Sequence, residues 1–273
     1  MSKRSLLVLG MLAVMGISAS AGAETDVGRL IDATLLGDHR SDKNKARDVF
    51  RHPKETLLFF GFKADQTVVE MTPGAGWYTE IIAPVLREHG TYYAAVNKVV
   101  DKGPEALRVR DIAFRKSLAD RPDLYDRVRI SVSTLPDLFP MAPAGTADLV
   151  LTFRNVHNWA KAGTVDSIFK AFFTTLKRGG TLGVVEHRAK EGTSVEQMIK
   201  TGYMTEAYVI DAAKKAGFVL GAKSEINANP RDTKDYPDGV WTLPPTLLLG
   251  DKDREKFLAI GESDRMTLRF TKP

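Results

Sequence analysis

The chain of 273 residues contains no cysteine, which excludes disulfide frameworks, zinc-thiolate centres, cysteine nucleophiles and lipid attachment through a cysteine. No Gly-x-Ser-x-Gly elbow and no P-loop occurs, so a serine hydrolase or an NTPase of those types has no support. The histidines show no His-x-x-x-His spacing, and no resident metal is expected from His39, His52, His157 and His187. There is no internal repeat and no low-complexity tract. Basic residues exceed acidic ones by only five, 39 against 34, and the two signs are interspersed. Without a basic stripe or interleaved aromatics, nucleic acid is not an expected partner.

Long apolar runs are also scarce, and the one that exists lies at the start. Lys3 and Arg4 precede an apolar stretch from Leu6 to Ile17, followed by the small residues Ala19, Ala21 and Ala23 before Glu24. That order reads as an export signal, residues 1–23, cleaved after Ala23, with the mature chain in the periplasm. The run is too short for a permanent span of ~20 residues, so no stable membrane helix is expected after cleavage. Processing removes Lys3 and Arg4 and lowers the net charge from +5 to +3.

Residues 24–62 read as a helical preface, with an apolar patch at Leu30, Ile31, Leu35 and Leu36 and a second helix from Pro53 to Gly61. Proline suits a first helical turn and glycine a helix end. Between them, Asp38-His39-Arg40-Ser41-Asp42 and then Arg47, Asp48, Arg51 and His52 read as a solvated face. If the preface folds over a ligand crevice, these groups supply polar contacts there instead.

From residue 63 to 273, strand-like and helix-like segments alternate. Strands are expected at Val68, at Thr91–Val96, Val128–Val132, Ala147–Phe153, Gly180–Glu186, Phe218–Ala222 and Met266–Phe270. Helices are expected at Ile81–Leu86, Pro104–Leu118, Thr164–Leu176 with Arg178-Gly179-Gly180 as its stop, and from Val195 to Gly217. This alternation predicts one α/β domain, a Rossmann-like, doubly wound, mostly parallel sheet behind an N-terminal helical extension. Asn227 to Ser263 is long for a connection and reads as a surface flap or a poorly ordered excursion, with a short helix at Asp251–Ile260.

Val68-Val69-Glu70-Met71-Thr72-Pro73-Gly74-Ala75-Gly76-Trp77-Tyr78 reads as a buried strand, a glycine turn and a helix start, where backbone approaches a ligand closely. From Thr67 onward the chain resembles the class I S-adenosylmethionine-dependent methyltransferases. Glu70 to Glu80 and Ser263 to Phe270 look like a group of exported bacterial predicted methyltransferases. Asp148-Leu149-Val150-Leu151 is similar to the family's fourth strand, and Arg178-Gly179-Gly180-Thr181-Leu182 to the approach to its fifth.

The resemblance implies S-adenosyl-L-methionine as cofactor, a small-molecule acceptor of unknown identity, and a cofactor floor of Glu70, Thr72, Gly74 and Gly76. It places Asn97 near the ribose and Asn155 beside the sulfonium. Thr72 stands where the family has its first glycine, and Asn97 where it has a ribose-binding acid. A neutral amide makes the weaker contact of the two. Ser131-Val132-Ser133-Thr134 offers no acid for the adenine amine. His157 and His187, each following a strand on the ligand side, are the candidate general bases. Glu186 and His187 point to opposite faces unless the strand has turned. A dinucleotide dehydrogenase fits less well, since Thr79 stands at the third glycine position.

The competing reading is an exported, non-catalytic binding or assembly module with a degenerate form of this fold. A crevice filled by Trp77, Tyr78 or the Asp38–Asp42 segment favours the module. An open, polar-lined slot favours the enzyme.

Overall fold

A computed structural model of the chain describes residues 18–98, 104–133 and 141–273. Residues 1–17 of the expected export signal lie outside the described residues. No described helix is long and apolar enough to cross a membrane.

The preface comprises α1 (Ser18–Leu36), α2 (Asp42–Lys45), α3 (Asp48–Arg51) and α4 (Pro53–Phe59). Helix α1 buries Val27 and Ile31, spaced by one turn, whereas Leu30 and Leu36 face solvent and Leu35 is half-buried. The expected four-residue patch therefore splits, because its members do not share one helical stripe. Ser41 caps α2 by accepting from the Asn44 amide, and Pro53 occupies the first turn of α4.

The sheet begins with β1 (Thr67–Met71), followed by α5 (Thr79–Leu86), β2 (Thr91–Asn97), α6 (Glu105–Ala119), α7 (Pro122–Tyr125) and β3 (Arg129–Ser133). The second half runs β4 (Ala147–Phe153), α8 (Val156–Ala162), α9 (Val165–Thr175), β5 (Leu176–His187), α10 (Val195–Thr201), α11 (Glu206–Lys215) and β6 (Val219–Ser224). A 3-10 turn (Gly239–Thr242), α12 (Arg254–Ile260) and β7 (Arg265–Thr271) complete it.

Seven strands lie in the order β3-β2-β1-β4-β5-β7-β6. The first five are parallel, and β7 runs antiparallel to both β5 and β6. Strand order reverses between β1 and β4, so a crevice opens beyond their carboxyl ends. Alternation along β1 sends Val68 into one apolar layer, with Ile31, Ile82 and Leu151. It sends Val69 into the other, with Val150, Phe169 and Leu182.

Several expected boundaries change for local reasons. Helix α9 ends at Thr175, and Leu176 already belongs to β5, so Arg178-Gly179-Gly180 lies in the strand rather than stopping the helix. The segment expected as one helix from Val195 to Gly217 is two, because Gly202 at φ 75° ends α10 and the Thr205 hydroxyl caps α11. Helix α8, directly after β4, was not expected. The Asn227–Ser263 excursion is ordered and pinned at its root, where the Asn227 amide donates to Thr56 Oγ1 at 2.9 Å and Thr267 Oγ1 at 3.0 Å.

Candidate functional site

Strand β1 delivers its last residues to the topological switch point. Thr72 follows at φ 57°, a left-handed conformation that costs a β-branched residue energy and is normally given to glycine. Its amide donates to the Ala95 carbonyl at 2.8 Å, which ties the turn to β2. Gly74 and Gly76 follow at φ 65° and 87°. A Cβ on Gly74 would meet nothing within 4 Å, so this backbone faces open space.

That space is a crevice walled by Thr72, Gly74, Asn97 and Lys98 on the sheet side and by Leu107, Arg110 and Phe114 of α6. Thr72 Oγ1 and Asn97 Oδ1 are both buried at its wall without a hydrogen-bond partner among the described residues. Polar side chains beside an open glycine suit a ligand bearing hydroxyls and amines. Trp77 and Tyr78 are both buried elsewhere. Trp77 lies under the Arg51 guanidinium, and Tyr78 stacks on Phe153 at 3.5 Å between ring centroids.

The other predicted cofactor residues act one step back. Glu70 is 2% exposed and accepts from the Tyr92 hydroxyl at 2.5 Å and from Thr79 Oγ1 at 3.2 Å, under the loop. Burial pushes its carboxyl up to about 7, against the pull of those hydrogen bonds. The Asn155 amide donates to the Met71 carbonyl and to Thr152 Oγ1, both at 3.1 Å, so it latches the end of β4 to the end of β1.

A second cavity lies beyond the ends of β4 and β5, between His157, His187, Arg154, the preface residues Arg47 and Arg51, and the excursion. Its outer wall is Trp241, Pro244 and Pro245. Arg154 occupies φ 61°, a second strained non-glycine residue.

His157 and His187 are brought together, with ring centroids 5.4 Å apart. The strand has turned: Glu186 Oε1 accepts from His157 Nδ1 at 3.0 Å and from the His187 amide at 2.8 Å, while Oε2 accepts from the Val156 amide at 2.5 Å. Glu186 therefore holds His157 with Nδ1 protonated and Nε2 free. His187 Nδ1 shares a hydrogen bond of 2.6 Å with Ser263 Oγ. Burial first, then His157 and the arginines, hold the His187 imidazole well below its usual pKa and hence neutral. Ligand atoms of His157, Glu186 and His187 lie within 4.8 Å of one another, close enough for a metal. Both oxygens of Glu186 already accept N–H bonds, however, and the adjoining arginines repel a cation. His39 and His52 belong to the preface and take no part in this group. The His39 ring bonds the Glu80 carbonyl at 2.9 Å.

The preface charges are a solvated face only in part: Asp38 and Asp42 are exposed, but two arginines are not. Arg40 and Arg51 are 2% and 1% exposed. Arg40 makes a two-pronged contact with Asp48 at 2.7 and 2.8 Å. The acidic partner of the cavity arginines, Glu262, was missed in the sequence. The available signal was a polar Glu262-Ser263-Asp264-Arg265 run abutting an apolar strand, and all four residues are buried.

No protein-family model and no curated protein matches the sequence. Solved structures do. A SAM-dependent methyltransferase from Aquifex aeolicus aligns at TM-score 0.53 and 15% identity over 92% of this chain and 98% of its own. Geranyl diphosphate C-methyltransferase from Streptomyces coelicolor A3(2), solved with Mg2+, geranyl diphosphate and S-adenosyl-L-homocysteine, gives 0.56 and 14% over 94% and 100%. The [4+2]-cyclase SpnF gives 0.57 and 14% over 93% and 96%. At these identities the likeness is one of fold, and the chain has the class I S-adenosylmethionine-dependent methyltransferase fold.

Proposed function

We propose that the protein is an S-adenosyl-L-methionine-dependent methyltransferase acting on a small-molecule acceptor. The observation that carries this reading is the open crevice at the switch point, lined by Thr72 and Asn97 beside Gly74, where a Cβ would meet nothing within 4 Å. The crevice is not filled by Trp77, Tyr78 or the Asp38–Asp42 segment, which speaks against the non-catalytic module. Thr72, Gly74 and Asn97 would hold the cofactor, with Glu70 and Asn155 fixing the loop that carries them. The bound cofactor supplies an electrophilic methyl group.

The protein's own contribution is alignment and proton handling. His157, oriented by Glu186, presents Nε2 to the second cavity and takes a proton from an attacking oxygen or nitrogen. The paired carboxylate stabilises the imidazolium that results. His187, anchored on Ser263 and held well below its usual pKa, is the weaker base at the same wall.

We further propose export to the periplasm, as in the exported group that the sequence resembles. Lys3, Arg4, the Leu6–Ile17 run and the Ala21-Gly22-Ala23 site support this, and intact-mass measurement of the cellular protein tests it, the expected N-terminus being Glu24.

The neutral Asn97 favours a second reading, a module that keeps the fold without the cofactor. Thermal unfolding with S-adenosyl-L-homocysteine separates the two. Saturation at 100 times Kd adds about 2.7 kcal/mol of stability. A ligand-dependent rise in Tm supports the enzyme, and an unchanged Tm at millimolar ligand supports the module.

A further inference from the structure

Charge does not balance in the second cavity. Glu262 accepts from Arg47 Nε at 2.7 Å, Arg51 Nε at 3.0 Å and Arg265 Nη1 at 3.1 Å, and lies 3.8 Å from Arg154 Nη1. Four guanidiniums thus share one carboxylate. Arg51 is 1% exposed, yet its Nη1 and Nη2 have no acceptor among the described residues. Arg154 makes no contact with a carboxylate closer than that 3.8 Å among the described residues, and its backbone is strained at φ 61°. Buried N–H groups on a fixed cation are costly to leave unmet, and a strained residue that carries one into a cavity marks a place where something binds. The planar fork of a guanidinium matches an oxyanion. Opposite the arginines the wall is apolar, formed by Val240, Trp241, Pro244 and Pro245.

We propose that this cavity takes an acceptor with an oxyanion, a carboxylate or a phosphate, on an apolar body. The oxyanion rests on Arg51 and Arg154, and the body lies against Trp241 and Pro244, within reach of His157. Calling the ligand an acceptor rests on the methyltransferase reading, whereas the anion site itself does not. The cofactor's own carboxylate is the less suited occupant, because Arg47, Arg51 and Arg154 line the second cavity and not the crevice of Asn97.

The test is calorimetric titration of the purified protein with phenyl phosphate and with benzoate at low salt, with and without saturating S-adenosyl-L-homocysteine. At least one probe is expected to bind with unit stoichiometry, and the one that binds identifies the oxyanion. Arg154→Gln, a partly exposed position, is expected to weaken binding at least tenfold, and Lys170→Gln on the outer face of α9 to leave it unchanged. Three results overturn the proposal: neither probe binds folded protein, Arg154→Gln binds the probe as tightly as the wild type, or S-adenosyl-L-homocysteine competes with the probe. The last result assigns the arginines to the cofactor. Probe binding without any binding of S-adenosyl-L-homocysteine upholds the anion site while removing the methyltransferase reading.

Discussion

The Arg51 guanidinium meets the Glu262 carboxylate at 3.0 Å, joining the helical preface to the segment that precedes the last strand. Both residues are buried, and Arg47, Arg154 and Arg265 converge on the same carboxylate. Burial pushes that carboxyl up, but the four arginines outweigh it and hold it at about 2. Removing one partner of a buried pair leaves the other uncompensated, so Glu262→Gln is expected to cost about 3–5 kcal/mol in urea unfolding. An effect below about 1 kcal/mol would mean that the arginines are solvated.

Glu70 and Glu262 have opposite pH signatures. Glu262, lowered in the folded state, contributes stability that is present above its unfolded value of 4.5 and lost as pH falls through about 2. Glu70, raised to about 7, does the reverse: its contribution is present below 4.5 and lost as pH rises through 7. A displacement of this size corresponds to roughly 3 kcal/mol at ~1.36 kcal/mol per unit. Glu70→Gln is therefore expected to flatten the decline in stability between pH 4.5 and 7, as read from denaturant midpoints at constant ionic strength. Parallel wild-type and variant curves would contradict the buried, protonated Glu70.

Much of this architecture was legible in the sequence because it is written in local periodicity. Ala147–Phe153 is a mostly apolar segment with Leu149, Val150 and Leu151 at its centre, and β4 occupies those residues. The doubly wound, mostly parallel sheet followed from the alternation of strands and helices. Local signals failed where long-range contacts decide. Asp38–Arg51 looks like a solvated charge run, yet Arg40 is buried against Asp48 within the run and Glu80 beyond it, and Arg51 against Glu262, far along the chain. The pairing of His157 with Glu186 was equally hidden, since it depends on the turn at the end of β5 and on α8 presenting the ring.

Thr72 carries both a backbone penalty and an unmet hydroxyl. A left-handed conformation costs an L-residue about 1–2 kcal/mol, partly offset in a glycine replacement by about 0.5–1 kcal/mol of added chain entropy. Thr72→Gly is expected to raise stability by up to about 1 kcal/mol while weakening cofactor binding by about three- to tenfold. Thermal melts and titrations on one preparation check both. A loss of stability would mean that the hydroxyl has a partner in the protein.

Glu186 carries three N–H groups, from His157, His187 and Val156. Glu186→Ala leaves them unmet and is expected to cost about 2–4 kcal/mol of stability. The milder Glu186→Gln is expected to keep the fold and, once an acceptor is in hand, to lower kcat about 100-fold with little change in KM. An unchanged kcat would remove His157 from proton transfer.

The central claim is that the crevice at Asn97 binds the methyl donor, and calorimetric titration with S-adenosyl-L-methionine tests it directly. The account predicts unit stoichiometry with Kd near micromolar, about -8 kcal/mol. It also predicts about tenfold weaker binding in Asn97→Ala, since Asn97 lines the crevice and its Oδ1 has no partner among the described residues. Absence of heat with folded protein at millimolar ligand, or identical affinity in Asn97→Ala, would contradict it.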